Sequence, residues 1–412
     1  MRKSLEIAIV GAGPGGLSTA LFLKRSGHRV TIFERFETPH PVGSGLMLQP
    51  TGLAVLDALG LRSEMAGLGA RVSRLTGTDS RSGRKVLDVS YRPLGRNIHA
   101  IGVHRATLFD VLHNAVLQQD IRLVTDFTAT GHTAAAGGHW LESDGRREGP
   151  FDLIVDASGA RSPLRASARF GGGPKPLEYG AIWSTVPWID GGFDREALTQ
   201  RYRKASVMIG VLPIGRRTLD GPELAAFFWS LKPDDYETVR ARGIAAWHAE
   251  VLSHWPDAQP HLDNMSSFED MTLARYAHGT MRVPAGEGIA FIGDSAHCTS
   301  PQLGQGANMA LLDAAALSAA IERSTSIEDA LDLYCRMRRW HVRFYQFMSI
   351  ALTPFYQSDS AVLPLLRDIA ISSGAKIPPI PWLLAGLVSG QLLNPLRRIG
   401  LPPALYPEET RQ

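Results

Sequence analysis

The first residues of the 412-residue sequence that could do chemistry form a glycine-rich turn, GAGPGG at residues 11–16. An apolar run at residues 6–10 predicts a β-strand before the turn, and residues 17–25 have the pattern of a helix after it. Residues 29–33 predict a second strand, which ends at Glu34. A strand, a GxGxxG turn, a helix and a strand closed by an acidic residue form a βαβ unit, which binds a dinucleotide at the helix N-terminus.

Each glycine of this turn has a predicted mechanical role. Gly11 permits the tight turn, Gly13 lets backbone N–H groups approach a pyrophosphate, and Gly16 lets helix and strand pack closely. Glu34 follows Gly16 by 18 residues, where a carboxylate can accept hydrogen bonds from the ribose hydroxyls of an adenosine. Arg35 is a further candidate for this site, with a solvated surface position as the alternative. The unit therefore predicts a cofactor with an adenosine half.

A second glycine-rich segment follows a predicted strand at residues 288–292. It begins as GDSAH at residues 293–297, continues as SPQLGQGANMA at residues 300–310, and leads into a predicted helix. A strand that delivers the carboxylate of Asp294, a glycine-rich loop and a helix N-terminus create a polar site at a sheet edge. The segment closely resembles the GD motif of the FAD-dependent aromatic hydroxylases, the para-hydroxybenzoate hydroxylase family, whose usual form is GDAAHxxxPxxGxGxNxAxxDA.

The resemblance implies how these residues would serve FAD. The family residue at the position of Asp294 contacts the ribityl chain, and residues 301–308 correspond to the loop beside the isoalloxazine ring. Backbone donors there stabilise negative charge on the reduced ring. His297 is expected to be a neutral structural imidazole rather than a base. The expected ring contacts are Pro301, Gly304, Ala307 and Asn308 as catalytic groups, with Gly306 as a further cofactor contact.

Three other segments bear on the same resemblance. Residues 42–50 resemble the family segment at the flavin edge, and residues 103–108 resemble its arginine-containing helix start. Arg105 is therefore expected to contact FAD, with a surface arginine as the alternative. Residues 156–165 are DASGARSPLR where the family has GADGxxSxvR, so Ser158 replaces an aspartate. If this segment is extended, Asp156 and Ser158 lie on the same face, and Asp156 partly compensates for the missing aspartate. The replacement bears on the handling of NADH or NADPH more than on the binding of FAD.

The predicted elements and the resemblance give an α/β (α+β) fold: a Rossmann-like FAD-binding domain, an inserted antiparallel β-sheet substrate domain, and C-terminal helices. The FAD-binding parts are expected at residues 1–75, 101–172 and 271–330, and the substrate-domain parts at 76–100 and 173–270. Residues 331–412 are expected to be a C-terminal helical region. Within the substrate domain, residues 181–188, 207–212 and 224–231 predict strands, and residues 213–215 predict a turn.

The predicted substrate sheet and the residues after it supply candidates for a pocket, although core packing is at least as good an explanation for Trp183, Met208, Phe228 and Trp229. Tyr202 and His278 are also weak candidates for a base that would deprotonate a phenol. The arginine-rich stretch at residues 336–343 is expected to form a solvated helix face, and the chain from Thr353 is expected to cap the substrate side or contact a second subunit. The pocket candidates are Trp183, Tyr202, Met208, Phe228, Trp229 and His278.

Composition excludes several other classes. With 43 Lys and Arg against 40 Asp and Glu, the net charge is +3, which disfavours nucleic acid as a partner. The two cysteines fit no disulfide framework or metal site, and no signal-peptide pattern precedes the first strand, so a cytoplasmic monomer or homodimer is expected. The apolar residues 377–393 are too few and too interrupted by proline and glycine for a membrane span, so membrane contact is not expected.

The resemblance implies an FAD-dependent monooxygenase. Such an enzyme uses NADH or NADPH and O2 to hydroxylate a small aromatic or other electron-rich substrate through a flavin hydroperoxide. Two alternatives stay open: a flavin dehydrogenase or electron-transfer protein of the same fold, and a flavin-binding interaction protein without turnover, which only Ser158 favours.

Overall fold

The structure is a computed structural model that describes residues 4–39, 43–170, 172–374 and 377–404. Val42, in the segment expected at the flavin edge, lies outside the described residues. The β-strands are β1 (Glu6–Val10), β2 (Arg29–Phe33), β3 (Gly45–Leu48), β4 (Ala70–Val72), β5 (Arg74–Asp79), β6 (Lys85–Ser90), β7 (Ala100–His104), β8 (Arg122–Val124), β9 (Gly131–Ala135), β10 (Gly138–Ser143), β11 (Arg146–Phe151), β12 (Leu153–Asp156), β13 (Lys175–Pro176), β14 (Gly180–Pro187), β15 (Ala197–Arg203), β16 (Val207–Gly215), β17 (Leu224–Leu231), β18 (Met271–Ala274), β19 (Ala277–Thr280), β20 (Ala285–Gly286) and β21 (Ile289–Phe291). The α-helices are α1 (Pro14–Arg25), α2 (Pro50–Ala58), α3 (Arg62–Leu68), α4 (Arg105–Gln118), α5 (Tyr236–Ala241), α6 (Ile244–His254), α7 (Gln259–Leu262), α8 (Asp294–His297), α9 (Gly306–Arg323), α10 (Ile327–Tyr356), α11 (Leu363–Gly374), α12 (Ile380–Val388) and α13 (Pro395–Ile399).

A six-stranded central sheet has the order β20-β21-β12-β1-β2-β8, and all its neighbours are parallel except the β20–β21 pair. Its strands are apolar on both faces because both faces are covered. Along β1, Ile7 and Ile9 pack against the core formed with α1, α4 and α9, whereas Ala8 and Val10 pack towards β9–β11. The carboxyl ends of β1, β12 and β21 meet at one edge, where Val10 pairs with Asp156 and Asp156 with Phe291.

A seven-stranded mixed sheet has the order β18-β14-β17-β16-β15-β5-β6. Its pairs are antiparallel except β5–β15, which is parallel and joins two distant parts of the chain. One face packs against α6 through a cluster that includes Trp229 and Trp247, and the other carries Met208 and Phe228. The expected fold class is confirmed, with this parallel pair as an addition.

The expected turn at residues 213–215 is wrong, because β16 continues through Gly215. The pairing with β17 is irregular between Pro213 and Gly215, and Gly215 has a positive φ of 66°. Proline lacks a donor for a regular ladder, but a strand tolerates it at such an irregularity. The two residues therefore bend a strand and do not end it.

The C-terminal helices complete the fold. Helix α10 packs along α9, α11 contacts β6, and α12 also contacts the mixed sheet through β6. The expectation of a solvated arginine face on α10 is wrong for Arg338, which is 1% exposed. No helix in the described part of the chain is long and apolar enough to cross a membrane.

Candidate active site

A cavity of about 1280 Å³ lies between the carboxyl edge of the central sheet and the mixed sheet. We call its lining residues at 10–15, 33–36, 105, 157–159, 161, 292–294, 299–307 and 310 the cofactor wall. The lining residues contributed by the mixed sheet, by Tyr276 and by α10–α12 form the substrate wall. The fold thus brings together chain segments that are far apart in sequence.

The glycine turn after β1 combines tight packing with one open position. A Cβ on Gly11, whose φ is 103°, would lie 2.7 Å from the carbonyl oxygen of Ala157, and one on Gly16 would collide with the carbonyl oxygen of Gly11. A Cβ on Gly13 would meet no protein atom within 4 Å. Gly11 and Gly13 line the cavity, whereas Gly16 lies outside the lining and serves packing. The space beside Gly13 is where a pyrophosphate would fit.

The end of β2 supplies the acidic group of the cofactor wall. Glu34 is buried, and its Oε2 accepts a hydrogen bond of 2.8 Å from the Ala12 N–H. This bond fixes the carboxylate against the glycine turn and leaves further lone pairs for a ligand. Arg35 also lines the cavity, but its side chain is exposed and lies 4.6 Å from the ring centre of Phe36.

The loop after β12 explains how Ser158 is accommodated. Ser158 lines the cavity and donates to Asp156 Oδ1 from its N–H at 2.9 Å and from its hydroxyl at 2.6 Å. The Ser162 hydroxyl donates to Oδ2 of the same carboxylate. Burial raises the pKa of Asp156, and these hydrogen bonds oppose the rise. Asp156 is fully buried and outside the lining, so it holds the loop and does not replace the missing aspartate at the cavity surface.

The GD segment places Asp294 at the start of α8, with its side chain exposed to the cavity. Desolvation by the surrounding protein raises the pKa of Asp294. The positive charges of His297, Arg105 and Arg165 oppose this rise. Arg105 is the first residue of α4, lines the cavity and is exposed there. A polar cofactor would therefore meet one carboxylate and one cation on this side.

Helix α9 begins at Gly306 and points its first turn at the cavity. Pro301, Gly304, Gly306 and Ala307 line the cavity, and a Cβ on Gly306 would meet no protein atom within 4 Å. The first N–H groups of a helix lack intrahelical partners and carry positive partial charge. This end of α9 can therefore hold an anionic group.

The side chain of Asn308 does not face the cavity, because Asn308 is fully buried and is not among the lining residues. Its Oδ1 accepts from the Gln49 N–H at 2.8 Å, and its Nδ2 donates to the carbonyls of Met47 and Gly304 at 3.0 and 2.9 Å. An amide with both ends satisfied in this way joins β3 to the start of α9. Only its backbone N–H belongs to the anion-binding turn.

A buried charge network supports the cofactor wall from behind. Asp313 accepts from His297 Nε2 and Arg338 Nε at 2.6 Å each, and from the Gly293 N–H at 2.8 Å. Burial alone would raise the pKa of Asp313, but His297 and Arg338 outweigh it and lower that pKa to about 2. His297 has its Nε2 engaged in this network and is outside the cavity lining, which supports the structural role expected for it.

The substrate wall includes four of the predicted pocket residues. The cavity is lined by Trp183, Tyr202, Met208 and Phe228. The ring centres of Trp183 and Phe228 lie 4.6 Å apart. Burial raises the pKa of Tyr202 well above its ordinary value, so its hydroxyl stays protonated and is no base at neutral pH.

The other two predicted pocket residues lie elsewhere. Trp229 follows Phe228 in β17, so it points to the opposite face of the sheet and packs against Trp247 of α6. His278 is in β19, opposite Lys175, and is not among the lining residues. Burial lowers its pKa, and its position outside the lining does not support the role of a base.

Several residues of the substrate wall were not predicted from the sequence. Gln200 lines the cavity two residues before Tyr202, so the period of a strand could have found it once β15 was recognised. Tyr276 lines it too, and its hydroxyl accepts from Trp183 Nε1 at 2.8 Å, while burial raises its pKa to about 12. Arg367 of α11 and Leu387 of α12 reach the cavity from regions without any recognisable motif.

The residues present fit FAD. The open space at Gly13 and Gly306 suits phosphate and ring, and Glu34 and Asp294 offer acceptors for ribose and ribityl hydroxyls. A parallel sheet with these loops at its carboxyl edge, facing an apolar sheet across a cavity, defines a two-part flavoprotein. Residues 4–344 match the model of the FAD binding domain family, and the chain belongs to that family.

The similar proteins include named monooxygenases. The chain is 26% identical over 350 residues to the aurachin C monooxygenase/isomerase of Stigmatella aurantiaca, covering 82% of this chain and 86% of the relative. It is 28% identical over 350 residues to the 6-methylpretetramide 4-monooxygenase of Streptomyces rimosus, with coverages of 81% and 80%. Klebsiella pneumoniae HpxO complexed with FAD and uric acid has the same fold, with a TM-score of 0.78, 20% identity and coverages of 94% and 98%. The protein is a flavoprotein monooxygenase with FAD as its cofactor.

Proposed function

We propose that the protein uses NADH or NADPH and O2 to hydroxylate an aromatic substrate held against the substrate wall. The observation that carries the proposal is the position of that wall, which faces the first turn of α9 across one continuous cavity. The polar groups for a cofactor lie on one side and rings that can hold an aromatic substrate lie on the other.

Bound FAD, once reduced by the nicotinamide donor, supplies the chemistry that activates O2. The chain must orient the substrate, exclude water and stabilise charge. Trp183 and Phe228 offer ring faces that can hold an aromatic substrate edge-on or offset. Apolar side chains such as Met208 and Leu387 exclude water from the same space.

Charge stabilisation is assigned to backbone groups of Gly306 and Ala307. Their N–H groups begin α9 and are fixed in place, because Asn308 ties this turn to β3. Fixed donors in a site with little water stabilise developing negative charge without reorganising. Pro301 and Gly304 shape the loop that leads to these donors.

The proposal is tested by steady-state oxidation of NADH and NADPH with a panel of phenols, quinolones and polyketides in ¹⁸O2. We expect an aromatic compound to stimulate oxidation and to gain one labelled oxygen atom. A flavin dehydrogenase of the same fold would instead turn over anaerobically with an artificial acceptor and leave the product unlabelled. That result would contradict the proposal.

A further inference from the structure

Helices α11 and α12 separate part of the cavity from solvent, and both carry large apolar side chains on the side away from the cavity. On the inner side, Arg367 of α11 and Leu384 of α12 line the cavity. On the outer side the exposed fractions run from 45% to 62% for Val362, Leu365, Leu366, Trp382 and Leu383. We call these five residues the outer face.

The outer face is a group of side chains and not a set of scattered ones. Val362, Leu365 and Leu366 lie on one side of α11, because residues three and four apart are neighbours on a helix. Both helices pack against the same edge strand of the mixed sheet, β6. A single exposed leucine is ordinary, but several large apolar side chains together on a surface mark a site of interaction. The outer face therefore indicates a partner.

Helix α10, which contacts α11, adds cations to this part of the surface. Its exposed side runs through Arg336, Trp340, Arg343, Phe347 and Ile350, and steps of three and four put these residues on one face. The guanidinium carbon of Arg343 lies 5.8 Å from the ring centre of Trp340. A helix face that combines arginines with aromatic and aliphatic side chains is typical of a helix that lies at a membrane surface.

The charge of this region decides which kind of partner fits. Residues 336–399 contain eight Lys and Arg and two Asp and Glu, a net charge of +6, whereas the whole chain has a net charge of +3. Both acids are already paired, Asp359 with Lys232 and Asp368 with Arg367. In a dimer with two-fold symmetry the same cations would face one another, whereas anionic lipids attract them. An anionic lipid surface therefore fits better than a second copy of the chain.

We propose that the outer face and the exposed side of α10 dock the protein on the surface of a membrane that contains anionic lipids. No helix in the part of the chain that the structure describes can cross a bilayer, so the helices lie on the membrane and bury only their exposed side chains in it. The proposal departs from the expectation drawn from the sequence, which rested on the length and the interruptions of one apolar run. It does not depend on the proposed hydroxylation, because docking needs neither a nicotinamide donor nor a substrate.

The first test is co-sedimentation of FAD-loaded protein with vesicles of phosphatidylcholine alone and with vesicles that contain about 30% phosphatidylglycerol. We expect a partition coefficient about tenfold higher for the anionic vesicles. Binding should weaken as salt is raised from about 0.1 M to about 0.5 M, because salt screens exposed charges. Absence of binding to the anionic vesicles would overturn the proposal.

The double variant Leu365→Glu with Leu366→Glu tests the outer face. Its partition to anionic vesicles should fall about tenfold, because both new charges would have to enter the apolar boundary of the membrane. The matched control, Leu117→Glu with Leu219→Glu, adds the same charge at leucines that are 52% and 68% exposed and lie outside the cavity lining. Equal losses in the two variants would show that only net charge matters and would contradict docking through the outer face. Flavin occupancy and thermal unfolding check that both proteins are folded.

Arg339→Gln with Arg343→Gln tests the cations of α10 at two exposed positions, where folding should be unaffected. We expect the preference for phosphatidylglycerol to fall several-fold while weak binding to phosphatidylcholine stays. Arg146→Gln with Arg147→Gln, at exposed positions at the start of β11, is the control and should keep the preference. An unchanged preference in the α10 variant would contradict the argument from charge.

Sedimentation velocity without vesicles tests the other occupant. We expect the wild type and Leu365→Glu with Leu366→Glu to have the same oligomeric state. A wild-type dimer that this double variant converts to a monomer would show that a second copy covers the outer face, and the proposal would be wrong.

Discussion

The two walls of the cavity recognise their ligands by different means. The cofactor wall presents mainly backbone, at the glycine turn of Gly11 and Gly13 and at the start of α9. The substrate wall presents side chains, such as Phe228 and Met208. They come from a sheet whose backbone N–H and C=O groups already form hydrogen bonds between strands. Backbone recognition demands particular residue types at fixed spacing, whereas a side-chain wall demands mainly apolar volume. The first kind of wall is constrained by its cofactor and the second is free to change with its substrate.

The walls also differ in what supports them. Behind the cofactor wall, Asp313, His297 and Arg338 form a buried polar network that leaves little freedom to the GD loop. Behind the substrate wall lies an apolar cluster that includes Trp229 and Trp247. Buried charges that hydrogen-bond to one another restrict the geometry of the loop they hold, while an apolar cluster tolerates repacking.

The largest expected effect is on the backbone side. Gly13→Val should leave the fold intact, because a Cβ there meets no protein atom within 4 Å, yet the side chain would occupy the pyrophosphate space. We expect largely flavin-free protein, measured as the flavin-to-protein absorbance ratio after gel filtration. Gly173→Val, also unhindered and outside the cavity lining, is the matched control. Full flavin occupancy in Gly13→Val would show that the cofactor lies elsewhere.

The second prediction tests the support of the cofactor wall. Arg338→Met should lower the free energy of unfolding by about 3–5 kcal/mol at pH 7, because it leaves the buried Asp313 carboxylate without the guanidinium that helps to compensate its charge. The pKa of Asp313, about 2, lies below its unfolded value of 3.8, so its stabilisation is present above pH 4 and is lost as the pH falls through 2. Urea unfolding at several pH values measures both effects. The exposed neighbour Arg339→Met is the control, and equal stability of the two variants would contradict the network's role.

The third prediction separates the two faces of β17. Phe228→Ala removes a ring that lines the cavity and should raise the KM for an aromatic substrate about tenfold. Trp229→Phe should lower the apparent melting temperature and leave KM unchanged, because Trp229 packs against α6. Steady-state kinetics and thermal unfolding of both variants decide the question. A KM change in Trp229→Phe alone would reverse our assignment of the faces.

The smallest expected effect concerns the start of α9. Ala307→Pro removes one N–H donor from the first turn, where proline is tolerated, and Gly306 before it lacks the Cβ that would clash. Loss of a helix-end donor should lower the flavin reduction potential by about 10–20 mV for a two-electron couple. Potentiometric titration measures this against Ala307→Ser, which keeps the donor. Identical potentials in both FAD-loaded proteins would show that this turn does not contact the ring.

The features that could be predicted from the sequence follow the same division between backbone recognition and side-chain recognition. The bounds of β1 and β2 were predictable because the glycine turn follows one strand and Glu34 closes the other. The face of Trp229 was not, because two adjacent aromatics in a strand look alike until the packing of α6 is known. Arg338 and Arg367 were not, because a buried arginine is distinguished from a solvated one only by partners distant in sequence, such as Asp313.

Helix α12 has a consequence for how the protein is assembled. Gln305, immediately before α9, donates from Nε2 to the carbonyl of Val388 at 2.7 Å, and Leu387 and Val388 line the cavity. The glycine turn that receives the nucleotide is made early in synthesis, but the cavity is closed only by a segment more than 350 residues later. A nascent chain halted before Ile380 would have its nucleotide turn and an open, wettable apolar cleft. Burial of this side of the cavity therefore has to wait until the last helices dock.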